Sequence, residues 1–274
     1  REGTVKESTL RKNQFEFKAA SKAVIDSLGT TFGSLKIVDI EVQNMRDLQK
    51  ALINSKRESG LKLYNTNTIN GIMAHVKHIL NDAMRAQILD FNPAISVKSL
   101  KRTEEEATET IHRALSVAET KKFFDVAQTS WYYDVYRFML CSGCRIGEVG
   151  ALKQTDIDCK NNVIHIQRTM TKTVLGNYMI GDSAKSRKGK RDIPLTDDLK
   201  VVIEHQKSIY RMLEGNILPF DGFIFKSPEG KMLNETSTNR DIARICKKAN
   251  IEKFTSHAFR DTFATRAVES GMKP

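Results

Sequence analysis

Two short stretches of the sequence carry charged residues whose spacing places them together on helices. In residues 141–152, an apolar helical run ends at Gly143, a residue that suits the end of a helix, and a second helix is predicted to begin at or just before Arg145. An arginine at a helix start, with Glu148 three residues later, suggests a guanidinium held in place to meet a phosphate. The alternative is an ordinary surface arginine that pairs with Glu148.

The second stretch covers residues 256–266. His257 and Arg260 are three residues apart, so they share one face of a predicted helix, and Phe259 and Phe263 mark its apolar stripe. A lone His-x-x-Arg pattern occurs often by chance. The two stretches together are a much more specific signal than either one alone.

Together they resemble the tyrosine recombinase, or phage integrase, family. The catalytic domain of that family carries Gly-Cys/Leu-Arg-Ile/Val-x-Glu early and His-x-Leu/Phe-Arg-x-Thr-Phe-Ala-Thr late; residues 143–148 and 257–265 match these patterns. Asp261 departs from the histidine that many members have there. The resemblance implies a site-specific DNA recombinase (integrase) that cleaves and rejoins DNA through a 3′-phosphotyrosyl intermediate and needs no metal or cofactor.

The resemblance also implies a role for each matched residue. Arg145 and Arg260 would clamp the non-bridging oxygens of the phosphate, because planar guanidinium forks can bind them bidentately. His257 would donate to a phosphate oxygen or help to move a proton. Glu148 would orient Arg145.

Two further parts of the family's catalytic set are harder to place. The lysine that protonates the leaving oxygen lies in the loop between the second and third strands of the family's sheet; Lys185 matches best and Lys188 is the second choice. Either lysine could instead contact the DNA backbone. The nucleophilic tyrosine follows the His-x-x-Arg pattern at a distance this chain does not reach, and all six tyrosines precede Arg260. We therefore expect the chain as given to lack the nucleophile and to be inactive.

The bulk composition agrees with a nucleic-acid partner. The chain has 274 residues and a formal net charge of +11, which suits a polyanion. It contains no apolar run long enough to span a membrane and no signal-peptide pattern, so a cytoplasmic location is expected. Cys141 and Cys144 form a Cys-x-x-Cys pair, but no second pair completes a zinc site, and both thiols are expected to be structural.

The predicted fold is mainly α, with two domains. Residues 1–97 are predicted to form a helical core-site DNA-binding domain (SAM-like, by the resemblance), with helices ending at Gly29, covering about 40–52, and covering 66–89. Residues 98–113 are polar and read as a linker. Residues 114–274 are predicted to form a mixed α/β catalytic domain. Its small antiparallel sheet has strands at 162–168, 178–180 and 192–195, followed by helices at about 197–213, 235–249 and from His257.

DNA contacts are expected in the linker and in the basic turn before the third strand, unless these charges are simply solvated. The candidates are Lys98, Lys101 and Arg102 in the linker and Arg187, Lys188 and Lys190 in the turn. The expected partners are double-stranded DNA (attachment core sites), further copies of the chain in a tetramer on that DNA, and an excisionase or DNA-bending protein. Two alternatives remain: a type IB topoisomerase-like enzyme, and a non-catalytic DNA-binding remnant or inhibitor.

Overall fold

A computed structural model describes residues 6–25, 27–103, 113–182, 190–213 and 222–272. The chain divides into two compact units, Arg1–Thr110 and Ile111–Pro274, and each has its own hydrophobic core. The prediction of a mainly helical fold with small antiparallel sheets is confirmed. Within the described ranges, no helix combines the length and apolarity that crossing a membrane requires.

Where the structure describes it, the first unit has three α-helices and a short hairpin. The helices are α1 (Glu7–Lys22), α2 (Val42–Asn54) and α3 (Thr66–Arg85), and the hairpin pairs β1 (Val24–Ile25) with β2 (Thr30–Thr31). The amphipathic helices bury one face each, with Met45, Leu48 and Ile72 fully enclosed.

The first-unit predictions were wrong at three element ends. The first helix stops at Lys22, because the β-branched pair Val24–Ile25 forms a strand. The second helix covers Val42–Asn54 and not about 40–52, because Glu41 caps it and the Glu41 backbone N–H donates to Asn44 Oδ1 at 2.8 Å. The third helix ends at Arg85 and not at 89.

The first residues of the predicted linker are held against the first unit. The side chain of Asn70 on α3 bonds both the backbone N–H and the carbonyl of Leu100, each at 2.9 Å. Arg102 Nε donates to Asn67 Oδ1 at 3.0 Å. A side-chain amide can satisfy an extended backbone in this way where no strand partner exists. Residues 98–102 are therefore ordered on α3.

The second unit contains six helices among the described residues. They are α4 (Val117–Ala127), α5 (Tyr133–Ser142), α6 (Ile146–Val149), α7 (Asp197–Leu213), α8 (Glu235–Ala249) and α9 (His257–Glu269). A capping box starts α4: Ser116 Oγ accepts from the Glu119 N–H and Glu119 Oε2 accepts from the Ser116 N–H. The predicted bounds 197–213 and 235–249 agree with α7 and α8.

In the described part of the second unit, five short strands form two sheets. β3 (Ile157–Asp158), β4 (Val163–Ile166) and β7 (Arg191–Pro194) make an antiparallel sheet, and β5 (Arg168–Lys172) pairs with β6 (Tyr178–Asp182) as a hairpin. The single strand predicted at 162–168 was wrong in extent. It ends at Ile166, because Ile166 is paired with Arg191 whereas the backbone of Arg168 is already in register with Asp182.

An aromatic cluster fixes the last helix in the core of the second unit. Phe259 of α9 packs against Phe123, Tyr136 and Phe254 with ring centroids 5.4–5.5 Å apart, and all four are fully buried. These rings contribute both burial and edge-to-face contacts. Thr262 Oγ1 accepts from the Leu115 N–H at 2.8 Å, which ties α9 to the segment before α4. These contacts fix the orientation of α9 in the second unit, and therefore also the direction of the helix face that does not pack on the aromatic cluster.

Candidate active site

Arg145 begins α6 and is joined to Glu148 in two ways. Its backbone N–H donates to Glu148 Oε2 at 3.0 Å and its Nη1 donates to Glu148 Oε1 at 3.2 Å. The carboxylate thus caps the helix and holds the guanidinium at the same time. The Glu148 side chain is 4% exposed and the Arg145 side chain is 56% exposed. A buried carboxylate thus holds a guanidinium group that is accessible to solvent.

Arg191, the first residue of β7, holds the other side of the same carboxylate. Its Nη1 is 3.0 Å from Glu148 Oε1 and its Nη2 is 2.8 Å from Glu148 Oε2, a bidentate pair. Nη2 also lies 3.7 Å from Cys144 Sγ. Arg191 lies at the end of the predicted basic turn and was not predicted to belong to the site. Its partner Glu148 lies 43 residues away, so no local sequence pattern connects the two residues.

Arg260 reaches the same place from α9. Its Nη1 donates to the carbonyl oxygen of Gly143, the residue that ends α5. Gly143 has φ 64°, in the left-handed region, and a Cβ there would overlap the ring of Phe263 on α9. Glycine is therefore required both by the backbone turn and by the close approach of α9. This confirms the predicted helix end at Gly143.

Glu148, Arg191 and Arg260 lie close enough together to shift one another's pKa values. Burial alone would raise the pKa of Glu148, but hydrogen bonds from Arg191 and from the Arg145 backbone bring it below its usual value. Burial, with repulsion from Arg145 and Arg191, lowers the pKa of Arg260. The hydrogen bond to Glu148 raises the pKa of Arg191. Three cations around one anion leave an excess of positive charge at the surface that an anionic ligand would neutralise.

His257 is the first residue of α9, three residues before Arg260, and is partly buried. The two predicted site residues of the second stretch thus share a helix whose Phe259 face is fixed in the core. Lys190 is exposed and directly precedes Arg191. The predicted lysine Lys185, its alternative Lys188, and Arg187 lie outside the described residues.

The three predicted linker contacts belong to the first unit. Lys98, Lys101 and Arg102 are all exposed. The backbone carbonyl of Lys98 accepts from Gln49 Nε2 at 3.0 Å, so this segment is held by α2 as well as by α3. Their side chains extend from an ordered backbone.

The Cys-x-x-Cys pair flanks the end of α5. Cys144 is buried, Cys141 is partly buried, and both are free thiols. Burial raises the pKa of each thiol, which makes both poor nucleophiles at neutral pH. Across the described ranges, no three His, Cys, Asp or Glu side chains are grouped so that they could hold a metal ion.

The family model described as "Phage integrase family" matches residues 107–274. This chain belongs to the phage integrase family. The match covers the whole arrangement of Arg145, Glu148, Arg191, His257 and Arg260. It also agrees with the tyrosine recombinase resemblance carried by the two motifs.

Two relatives within this family match most of the chain. The tyrosine recombinase XerC-like protein of Caldanaerobacter subterraneus subsp. tengcongensis is 24% identical over 229 residues, which is 77% of this chain and 59% of that protein. The ICEBs1 integrase of Bacillus subtilis is 23% identical over 240 residues, which is 86% of this chain and 61% of that protein. The chain therefore spans less than two thirds of the length of these integrase relatives.

Solved structures of integrases share the fold. The Tn1549 transposon integrase in complex with circular intermediate DNA has a TM-score of 0.75 at 22% identity, over 100% of this chain and 85% of that one. The lambda integrase dimer bound to a COC′ core site has a TM-score of 0.67 at 16% identity, over 98% of this chain and 85% of that one. At these identities the likeness is one of fold.

Proposed function

We propose that this chain is the core-binding and catalytic part of a site-specific DNA recombinase that cleaves and rejoins DNA through a 3′-phosphotyrosyl intermediate. The observation that carries the proposal is a cluster of three arginines at one buried carboxylate. Arg145 and Arg191 donate to Glu148, and Arg260 lies close enough for these charges to affect its pKa. A site with several rigid guanidinium groups and one anion fits a phosphodiester, whose negative charge grows on its non-bridging oxygens as a nucleophile attacks.

In this mechanism a tyrosine oxygen attacks phosphorus and forms an O–P bond while the bond from phosphorus to the 5′ oxygen breaks. The tyrosine proton passes to a base and the leaving oxygen takes up a proton. Arg145 and Arg260 bind the non-bridging oxygens, His257 donates to one of them or moves a proton, and Lys185 protonates the leaving oxygen. Rejoining is the same step in reverse, with a 5′ hydroxyl as the attacking group.

The attacking tyrosine is proposed to come from outside these 274 residues. Tyr136 is fully buried and its hydroxyl donates to Asp241 Oδ2 at 3.0 Å, and burial raises its pKa. Tyr178 donates to Asn234 Oδ1 at 3.1 Å. Tyr64 belongs to the first unit, where it packs against Phe15. These contacts give each of the three hydroxyl-bearing rings a structural role.

The first unit is proposed to bind the core DNA site. Three solved relatives support this: the Tn1549 integrase is described with circular intermediate DNA, the lambda integrase dimer with a core site, and a lambda integrase tetramer with a Holliday junction. We extend DNA binding and tetramer formation to this chain by analogy. The exposed cations Lys98, Lys101 and Arg102 supply phosphate contacts.

The test uses the protein encoded by the complete reading frame and a nicked duplex that carries its attachment core. The proposal predicts an adduct that survives denaturation, with a DNA phosphate on one tyrosine identified by mass spectrometry. Tight and specific DNA binding without an adduct would leave the non-catalytic DNA-binding protein as the better description. An adduct formed equally on unrelated duplexes would favour a topoisomerase-like enzyme.

A further inference from the structure

We propose that Arg191 is a positioning residue for the strand-cleavage step, acting through Glu148 on Arg145. This inference rests on the proposed recombinase function. It assigns a role to a residue that lies in neither of the two family motifs.

The geometry of the carboxylate carries the inference. Glu148 Oε1 accepts from Arg145 Nη1 and from Arg191 Nη1, at 3.2 and 3.0 Å. Glu148 Oε2 accepts from the Arg145 backbone N–H and from Arg191 Nη2, at 3.0 and 2.8 Å. Arg191 thus contacts both oxygens, and each oxygen also accepts from Arg145.

The consequence for Arg145 follows from charge. When Arg191 neutralises Glu148, the carboxylate orients Arg145 without cancelling its charge, and the guanidinium stays available for a phosphate. Without Arg191, the buried carboxylate has Arg145 as its main cation, and the ion pair between them tightens. The Arg145 guanidinium is then misaligned with the non-bridging oxygens of the attacked phosphate, while the other DNA contacts that set affinity stay in place. Partners of this kind, one step removed from the reacting atoms, set the orientation and charge of the groups in contact with them.

Arg191 also sets the protonation of Glu148. The charged and titratable groups that face this carboxylate are Arg145, Arg191, Arg260 and the Cys144 thiol. Among these, the side-chain hydrogen bond from Arg191 does most to lower the Glu148 pKa against the effect of burial. Loss of Arg191 therefore raises the Glu148 pKa. At acidic pH the protonated side chain no longer holds Arg145.

The second unit offers a matched control. Arg168 Nη2 contacts both oxygens of Asp156 at 2.5 Å, and the side chains are 27% and 6% exposed. The Arg191 and Glu148 side chains are 28% and 4% exposed. Arg168→Ala thus breaks an arginine–carboxylate pair of similar burial in the same unit, in which one nitrogen contacts both oxygens. Asp156 caps the turn at Lys153 and has no bond to Arg145.

The experiment compares Arg191→Ala, Arg191→Lys and Arg168→Ala, each made in the protein encoded by the complete reading frame. Single-turnover cleavage of a nicked core duplex is measured as a function of pH, with duplex affinity measured in parallel. For Arg191→Ala we expect cleavage to slow by about 10- to 100-fold with affinity unchanged, as for other residues that orient a reacting group. The acid limb of its rate profile moves to higher pH. Arg191→Lys restores part of the rate, and Arg168→Ala leaves the profile in place.

A double variant tests the route through Glu148. In the Glu148→Gln background, Arg191→Ala is expected to slow cleavage no further, because the group on which it acts is gone. If the double variant loses rate by the product of the two single losses, the inference is overturned. It is also overturned if Arg191→Ala cleaves at the wild-type rate, or if its DNA affinity falls in parallel with its cleavage rate.

A measurement without DNA separates this inference from the proposed function. Carboxyl-carbon NMR titration of Glu148 in the DNA-free chain should give a higher pKa in Arg191→Ala than in the wild type or Arg168→Ala. An absence of cleavage by the wild type would defeat the proposed function. An unchanged Glu148 pKa in Arg191→Ala would defeat the positioning role by itself.

Discussion

Glu148 is the residue on which the candidate site depends most. Its side chain is almost completely buried, yet it stays ionised because two arginines and a backbone N–H donate to it. A buried carboxylate is tolerated only when it is paired in this way. Substitution of Glu148 therefore affects both the stability of the second unit and the direction of Arg145.

Glu148→Gln is expected to destabilise the second unit by about 3 kcal/mol, since it leaves partly buried arginines without their counter-charge. Because the Glu148 pKa lies below its usual value of 4.5, its ionised form stabilises the fold fully above that pH and loses this effect as the pH falls. The difference in the free energy of unfolding between wild type and Glu148→Gln should therefore become smaller at acidic pH. Trp131, the only tryptophan of the chain, reports unfolding by fluorescence.

The control for this variant is Glu204→Gln. Glu204 pairs with Lys207 at 2.7 Å, but its side chain is 59% exposed, so little stability is expected to be lost. Equal destabilisation by the two substitutions would contradict the special role of the Glu148 pair.

The pairing of Arg145 with Glu148 was predictable because i and i+3 residues are neighbours on a helix. Arg191 was not, because its partner lies 43 residues away and no local period connects a strand to a helix in another layer. The bond from Arg260 to Gly143 spans 117 residues and was unpredictable for the same reason. The family resemblance predicted that Arg145 and Arg260 lie at one site, but it did not specify their hydrogen-bond partners.

The junction between α5 and α6 determines where Arg145 and Arg260 meet. It turns at Gly143, whose left-handed backbone ends one helix and whose carbonyl accepts from Arg260 on α9. A side chain at this position would strain the turn and push against Phe263. The closeness of the two helices is thus set by a single residue without a Cβ.

Gly143→Ala is expected to destabilise the second unit by more than the ~1–2 kcal/mol of a left-handed alanine, because the new Cβ also overlaps Phe263. The matched control is Gly176→Ala, which has φ 86° and open space around its Cβ position. Urea denaturation followed by Trp131 fluorescence measures both. Phe263→Ala in the Gly143→Ala background should recover the difference; equal losses in the two alanine variants would contradict the contact.

Secondary structure was predictable where capping signals were explicit. Ser116 with Glu119, and Gly143 after an apolar helical run, mark helix ends that the structure reproduces. The errors included Val24–Ile25 and residues 162–168, where a short apolar run fits a helix end, one strand or two. The structure of such short runs is decided by their pairing with distant segments, and the local pattern of one sequence does not reveal that pairing.

At the scale of the whole molecule, positive charge is spread over both compact units. The net charge of +11 favours association with DNA at any sequence, and base contacts and DNA shape must add specificity. Lys101 is an exposed cation on a backbone segment that α3 holds in place. It is a suitable residue with which to test the proposed contribution of the first unit.

Lys101→Ala is expected to reduce the salt dependence of duplex binding by about 0.9 in the slope of log K against log salt concentration, the value for one phosphate contact. Lys207→Ala is the control, because Lys207 is paired with Glu204 on its own helix. Fluorescence anisotropy at several salt concentrations gives both slopes. An unchanged slope in Lys101→Ala would remove this residue from the DNA interface.

The most direct test of the phosphate clamp replaces each of its two guanidinium groups with a lysine ammonium group, which keeps the positive charge. Arg145→Lys and Arg260→Lys are made in the protein encoded by the complete reading frame, and covalent adduct formation on a nicked core duplex is measured together with duplex affinity. We expect affinity to be retained and adduct formation to fall by at least about tenfold for each variant, since lysine cannot bind two phosphate oxygens with a planar fork. Normal adduct formation by both variants would contradict the clamp.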